Sequence, residues 1–140
     1  MKAKIKIGFT GTRKGMTPDQ LIRFVETIGA IEKKSEIVEF HHGGCIGADN
    51  DAHILLKPMR TIAIVVHPPI DKTYTFNYFS GASKILPEKE YLDRNHDIVD
   101  ACQILIACPK EKKEVKRSGT WATIRYARRI GKPVFVIEPE

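Results

Sequence analysis

Several things are scarce in this sequence, and each scarcity excludes a class of protein. No run of about 18 apolar residues occurs, so no segment reads as a membrane span. Cysteine is sparse and odd in number, with Cys45, Cys102 and Cys108 and no Cys-x-x-Cys pair. That argues against a structural zinc site and for a reducing, cytoplasmic setting. The start, Met1-Lys2-Ala3-Lys4-Ile5-Lys6, alternates basic and apolar residues. It lacks the apolar core of a signal peptide and reads as a first strand. Neither a P-loop nor a Gly-x-Gly-x-x-Gly fingerprint is present. No repeat and no low-complexity tract stands out. No third ligand is suitably spaced beside His41 and His42, so neither a metal nor any other cofactor is expected.

What is present reads as one globular domain over residues 1–140. Apolar content is 42% and charged content 29%, ordinary for a chain able to bury a real core. The net charge of +6 is unevenly spread. Between Pro109 and Lys132 there are nine Lys/Arg and two Asp/Glu, whereas the rest of the chain has fourteen basic and fifteen acidic residues. The positive excess therefore sits in one late segment, which either meets an anion or forms a solvated face.

Periodicity gives the elements. Lys4 to Thr10 reads as a strand. Thr17-Pro18-Asp19-Gln20 reads as a helix start, with Thr17 as N-cap and Gln20 closing a capping box. Glu36 to His42 is a second strand and Ala48 to Leu56 a short helix. Arg60 to His67 is a nearly all-apolar third strand. His67 to Pro87 shows little periodicity but carries Tyr74, Phe76, Tyr78 and Phe79, so it reads as a functional loop. Glu88 to Ala101 is helical with Tyr91, Leu92, Ile98 and Val99 on one face. Cys102 to Cys108 is a fourth strand, Thr120 to Ile130 a last helix, and Pro133 to Ile137 a fifth strand. Alternation of this kind predicts an α/β three-layer sandwich, with a five-stranded parallel sheet in the order 3-2-1-4-5 and helices on both faces.

Ligands of such sheets bind beyond the C-terminal strand ends, and the unusual residues fall there. Gly11-Thr12-Arg13 follows the first strand, Gly43-Gly44-Cys45-Ile46-Gly47-Ala48-Asp49 the second, and Ser118-Gly119-Thr120 opens the last helix. Glycine lets backbone approach a ligand, and a helix N-terminus presents free N–H groups that suit phosphate. Three such turns at sheet ends point to anion binding.

Those residues, with Asp93-Arg94-Asn95, Ala127 and Gly131-Lys132-Pro133-Val134, resemble the SLOG superfamily across nearly the whole chain. That group joins the Lonely Guy (LOG) phosphoribohydrolases to the DNA-processing protein A (DprA) family and to small stand-alone proteins, which this chain resembles most. The resemblance implies a Rossmann-like fold and a site for a nucleotide or nucleic-acid phosphate. SLOG proteins often pair, so it also implies a homo-oligomer. LOG hydrolases carry Pro-Gly-Gly-x-Gly-Thr-x-x-Glu with a catalytic glutamate. Here the text is Arg117-Ser118-Gly119-Thr120-Trp121-Ala122-Thr123, and Thr123 stands in the glutamate's place. Threonine neither stabilises an oxocarbenium ion nor activates water. Arg94 matches the LOG arginine and is the best single anion ligand. With the glutamate gone, Arg94 and Asp49 are the remaining candidates for any chemistry.

Single residues carry two readings each. Asp49 either complements a helix dipole or accepts from a ribose hydroxyl. Asn95 either braces its neighbours or touches ligand. His41 and His42 end a strand, so one should face outward, while His53 and His96 read as surface or supporting residues. Cys45 reads as a small filler more readily than as a nucleophile. Trp121 shares a side of the last helix with Arg125, Arg128, Arg129 and Lys132, so it either stacks on a base or packs under the charged loop.

Two functions follow, beside a third reading as a structural or interaction domain whose cradle is vestigial. One is a nucleotide-binding protein, acting as a sensor or a weak N-glycosidic phosphoribohydrolase. Its ligand set would be Gly11, Thr12, Arg13, Gly43, Gly44, Gly47, Asp49, Arg94, Asn95, Ser118, Gly119, Thr120 and Trp121. The other is a DprA-like module that binds single-stranded nucleic acid through the basic last helix. Neither involves a membrane.

Overall fold

The computed structural model describes residues 2–76 and 80–139, so Tyr78 and Phe79 lie outside the described residues. The strands are β1 (Ala3–Gly11), β2 (Ser35–His42), β3 (Ala63–Val66), β4 (Lys84–Ile85), β5 (Ile104–Cys108) and β6 (Val134–Val136). The helices are α1 (Pro18–Glu32), α2 (Ala48–Leu56), α3 (Tyr91–Ala101) and α4 (Gly119–Arg129). All strand pairs are parallel and the order is β4-β3-β2-β1-β5-β6. The five expected strands stand in the expected order, and the sheet gains a sixth at its edge. That strand is two residues long, too short to leave a period in the sequence, and it pairs Lys84 and Ile85 with Val65 and Val66.

Three boundaries shift for local reasons. Turns at Met59 and Ile62 delay β3 until Ala63. The bridge between Pro69 and Lys89 keeps residues 88–90 extended, so α3 begins at Tyr91 and not at Glu88. Cys102 caps α3, which leaves β5 to start at Ile104.

The pleat sends alternate residues of the central strands to opposite faces. On one face Ile7, Phe9, Phe40, Ile64 and Ile106 meet Phe24 and Ile28 of α1 and Ala52 and Leu56 of α2. On the other, Leu105 and Ala107 meet Val99 of α3 and Trp121, Ile124 and Ala127 of α4. Phe9, Phe24 and Phe40 form a mutual aromatic cluster with centroids 5.5–6.0 Å apart. The Thr17–Gln20 capping box forms as expected. Gln20 is fully buried, and its amide donates to Pro109 O and Ile137 O at 3.0 and 2.8 Å, tying the ends of β5 and β6 to α1. Among the described residues no helix is long and apolar enough to cross a membrane.

Candidate functional site: a cationic cleft at the switch point

The chain winds from β1 toward β2 and β3 on one side, then returns to β5 on the other. A crevice opens at such a reversal. Here it is a cleft of about 510 Å³ lined by residues of the β1 turn (Thr10 to Lys14), the β2 turn (Gly43, Cys45, Asp49), α3 (Tyr91, Arg94, Asn95) and the loop into α4 (Lys110, Glu111, Arg117 to Thr120). The structure brings together the three turns singled out from sequence.

The β2 turn is held from inside. Asp49 is buried, and its Oδ2 accepts from the N–H groups of Gly43 and Cys45 at 3.2 and 3.1 Å. Burial pushes its carboxyl up to about 6, against the pull of Arg94 and the two backbone donors. Arg94 is also buried. Its Nη1 donates to Gly43 O and to His67 O (3.1 Å), and its Nη2 lies 3.3 Å from Cys45 Sγ. Asp49 and Arg94 thus bind the turn itself, while the guanidinium Nε is buried without a partner. Asn95 is half-buried at the cleft wall.

Two glycines serve packing more than ligand approach. Gly47 adopts φ +87°, and a Cβ there would run into the Thr12–Arg13 backbone. The Ala48 N–H at the start of α2 donates to Thr12 O at 2.9 Å, so this helix end closes on the β1 turn. Neither Gly44 nor Gly47 lines the cleft, whereas Gly11, Thr12, Arg13 and Gly43 do. Gly44 is covered by the long loop, whose Phe76 N–H donates to Gly44 O at 3.1 Å.

Both His41 and His42 are buried, contrary to the expectation that one faces outward, because the sheet is covered on both faces. His41 Nδ1 lies 2.7 Å from His67 Nε2, and its Nε2 2.7 Å from Glu39. His42 Nε2 lies 2.8 Å from His53 Nδ1, and its Nδ1 accepts from Gly44 N–H. His53 is therefore an interior residue, not a surface one. Burial lowers the basicity of His41, His42 and His67, the last to about 4. Among the described residues no group of His, Cys, Asp and Glu is arranged to hold a metal ion.

The opposite wall is built differently. Ser118 caps α4 by accepting from Trp121 N–H at 3.2 Å, and a Cβ on Gly119 would meet nothing within 4 Å. The first-turn N–H groups of Gly119 and Thr120 have no intrahelical acceptor, and both residues line the cleft. The Thr123 hydroxyl donates to Gly119 O at 2.9 Å. Trp121 does not line the cleft. It is buried against Ala107 and Ile124, and the inward stripe of α4 is Thr120, Trp121, Thr123, Ile124 and Ala127. A helical wheel fixes relative directions only, so the grouping of Trp121 with Arg125, Arg128, Arg129 and Lys132 did not tell that Trp121 packs inward.

The basic stripe is partly consumed within the chain. Arg125 pairs with Glu114 at 2.7 Å and with Lys116 O, Arg129 lies over the Tyr126 ring, and Lys132 donates to Cys102 O. Sequence reading missed Tyr91, Lys14, Lys110, Glu111 and Arg117 as cleft residues. Tyr91 lies 5.2 Å from the Arg94 guanidinium, and Arg13 stacks on Tyr74 at 3.8 Å. The charge run marked the loop but not which of its members turn inward. Leu92, placed on one helix face with Ile98 and Val99, is exposed while those two are buried.

Comparison with known proteins bears on the fold. No protein-family model and no curated protein matches the chain. The molybdenum cofactor binding protein of the phototrophic bacterium Rippkaea orientalis shares the fold, with a TM-score of 0.70 and 18% identity, over 100% of this chain and 78% of that one. TM1055, a structural genomics target, matches with a TM-score of 0.62 and 18% identity, over 96% of this chain and 72% of that one. Both likenesses give the chain a Rossmann-like α/β architecture.

Proposed function

We propose that the cleft binds a nucleotide or nucleotide-derived anion and that its phosphate lies between Arg94 and the first turn of α4. The observation that carries this reading is the buried, unpartnered Nε of Arg94 in a cleft that also takes Arg13, Lys14, Lys110 and Arg117. Five cations against Asp49 and Glu111 leave a positive excess that attracts an anion of more than one charge. Tyr91 lines the cleft and supplies apolar surface for a ring. The Rippkaea orientalis neighbour binds molybdenum cofactor, which fits a small organic ligand on this scaffold. Thr123 spends its hydroxyl on Gly119 O and brings no carboxylate, which favours sensing or carriage of the ligand over cleavage of an N-glycosidic bond. The DprA-like reading ranks second, because Arg125 and Lys132 of the basic stripe are engaged within the chain. Three buried, unpaired cysteines fit a reducing compartment.

A thermal-shift panel of nucleoside mono- and diphosphates, with single-stranded DNA alongside at two salt concentrations, tests the proposal. A ligand at 100 times its dissociation constant adds about 2.7 kcal/mol. Stabilisation by one nucleotide class at both salts supports it. Stabilisation by DNA alone, and only at low salt, transfers the function to the basic surface.

A further inference from the structure

Four buried side-chain atoms have no hydrogen-bond partner among the described residues: Thr75 Oγ1, Arg94 Nε, Glu111 Oε1 and Trp121 Nε1. Two of them belong to residues lining the one cleft, and they are opposite in kind. Arg94 Nε is a donor, and an ionised Glu111 oxygen only accepts. Buried polar groups are rarely left unmatched in folded proteins. Glu114, three residues along the same loop, is by contrast taken up by Arg125. Lys110 and Arg117 flank Glu111 in the cleft lining, yet its Oε1 pairs with neither. A bare phosphate completes Arg94 and repels Glu111. A ligand that completes both must carry an anionic acceptor and a hydrogen-bond donor.

Resting on the nucleotide reading above, we infer that Glu111 is the specificity residue of the cleft and accepts a hydrogen bond from a sugar hydroxyl of the bound nucleotide. In any nucleotide the sugar adjoins the phosphate, and the base comes one step further on. The loop that supplies Glu111 leads, through residues 112–117, into Ser118–Thr120, the proposed phosphate end, and both line the same cleft. Glu111 thus excludes inorganic phosphates by charge and deoxygenated sugars by an unmet acceptor.

The test is calorimetric titration of the wild type, Glu111→Ala and Glu111→Gln with the four ribonucleoside 5′-monophosphates, their 2′,3′-dideoxy counterparts and inorganic pyrophosphate. The wild type is expected to prefer a ribonucleotide over its dideoxy form by about tenfold or more. Glu111→Ala should erase that preference and bind pyrophosphate at least as well as the wild type. Glu111→Gln keeps an acceptor oxygen, so it should retain part of the preference, and it carries the test if the alanine variant does not fold. If pyrophosphate or nucleotides bind but the wild type shows no sugar preference, or Glu111→Ala keeps it, the role of Glu111 is overturned while the anion cleft stands. If the wild type binds neither nucleotides nor pyrophosphate, the cleft reading falls and this inference falls with it.

Discussion

The two walls of the cleft were drawn from similar sequence, small residues at a strand end feeding a helix, yet they are finished differently. On the β2 wall nearly every polar group is already used. Asp49 takes the Gly43 and Cys45 N–H groups, Arg94 takes the Gly43 and His67 carbonyls, and Thr12 O takes the Ala48 N–H. On the α4 wall Ser118 caps the helix, the N–H groups of Gly119 and Thr120 have no intrahelical acceptor, and Glu111 Oε1 has no partner. The contrast teaches that a glycine turn at a strand end is as much a device for close packing as for ligand approach. The β2 wall is braced by its own bonds and leaves Arg94 Nε free, while the α4 wall keeps more of its polar groups unused, which suits a pre-organised site.

Substitutions sharpen that contrast. The largest effect is expected for Gly47→Ala, since alanine at φ +87° is strained and its Cβ meets the Thr12–Arg13 backbone. A loss of about 3 kcal/mol is expected in denaturant unfolding. Arg94→Ala should cost about 2–3 kcal/mol by orphaning Gly43 O and His67 O. It should also abolish nucleotide binding, and a variant that binds normally would break the assignment of Arg94. On the α4 wall, Ser118→Ala should cost about 1 kcal/mol through the lost cap. Gly119→Ala should move stability by no more than about 0.5 kcal/mol, because open space surrounds it. Equal losses at Gly47 and Gly119 would erase the distinction between the walls.

Acid is expected to weaken the β2 wall through its histidines. His41, His42 and His67 are less basic in the fold than the ordinary value of 6.5, with burial the main cause. Between pH 6.5 and about 4 the unfolded chain therefore binds more protons at His67, and stability falls as pH drops through that window. Asp49 works the other way. Its carboxyl is raised from 3.8 to about 6, so the folded state binds the extra proton there and gains stability as pH falls through that range. His67 and Asp49 roughly cancel, which leaves His41 and His42 to decide the sign. The melting temperature should drop from pH 6.5 toward 4.5, and His42→Gln should flatten the drop. A profile that rises over this range would refute the histidine account.

Sequence by itself determined the layer order, the direction of the strands and the end of the sheet where the cleft lies. Those follow from local periods and turn residues, and Phe9, Phe40, Ile64 and Ile106 fall on one face because the strand period is two. The capping box at Thr17 was legible for the same reason, being complete within four residues. Tertiary structure alone decided which polar groups satisfy one another. His41 meets His67 across 26 residues of chain, and Arg94 meets Gly43 across 51. Such pairings depend on which strand ends become neighbours and on how deeply each is buried, and no local period records either. The same holds for Trp121, which the helical period groups with the basic stripe but which is buried against Ala107 and Ile124. Glu111 is the clearest case: in the sequence it is one acid in a basic run, and only the fold brings it into the cleft and leaves its oxygen unmatched.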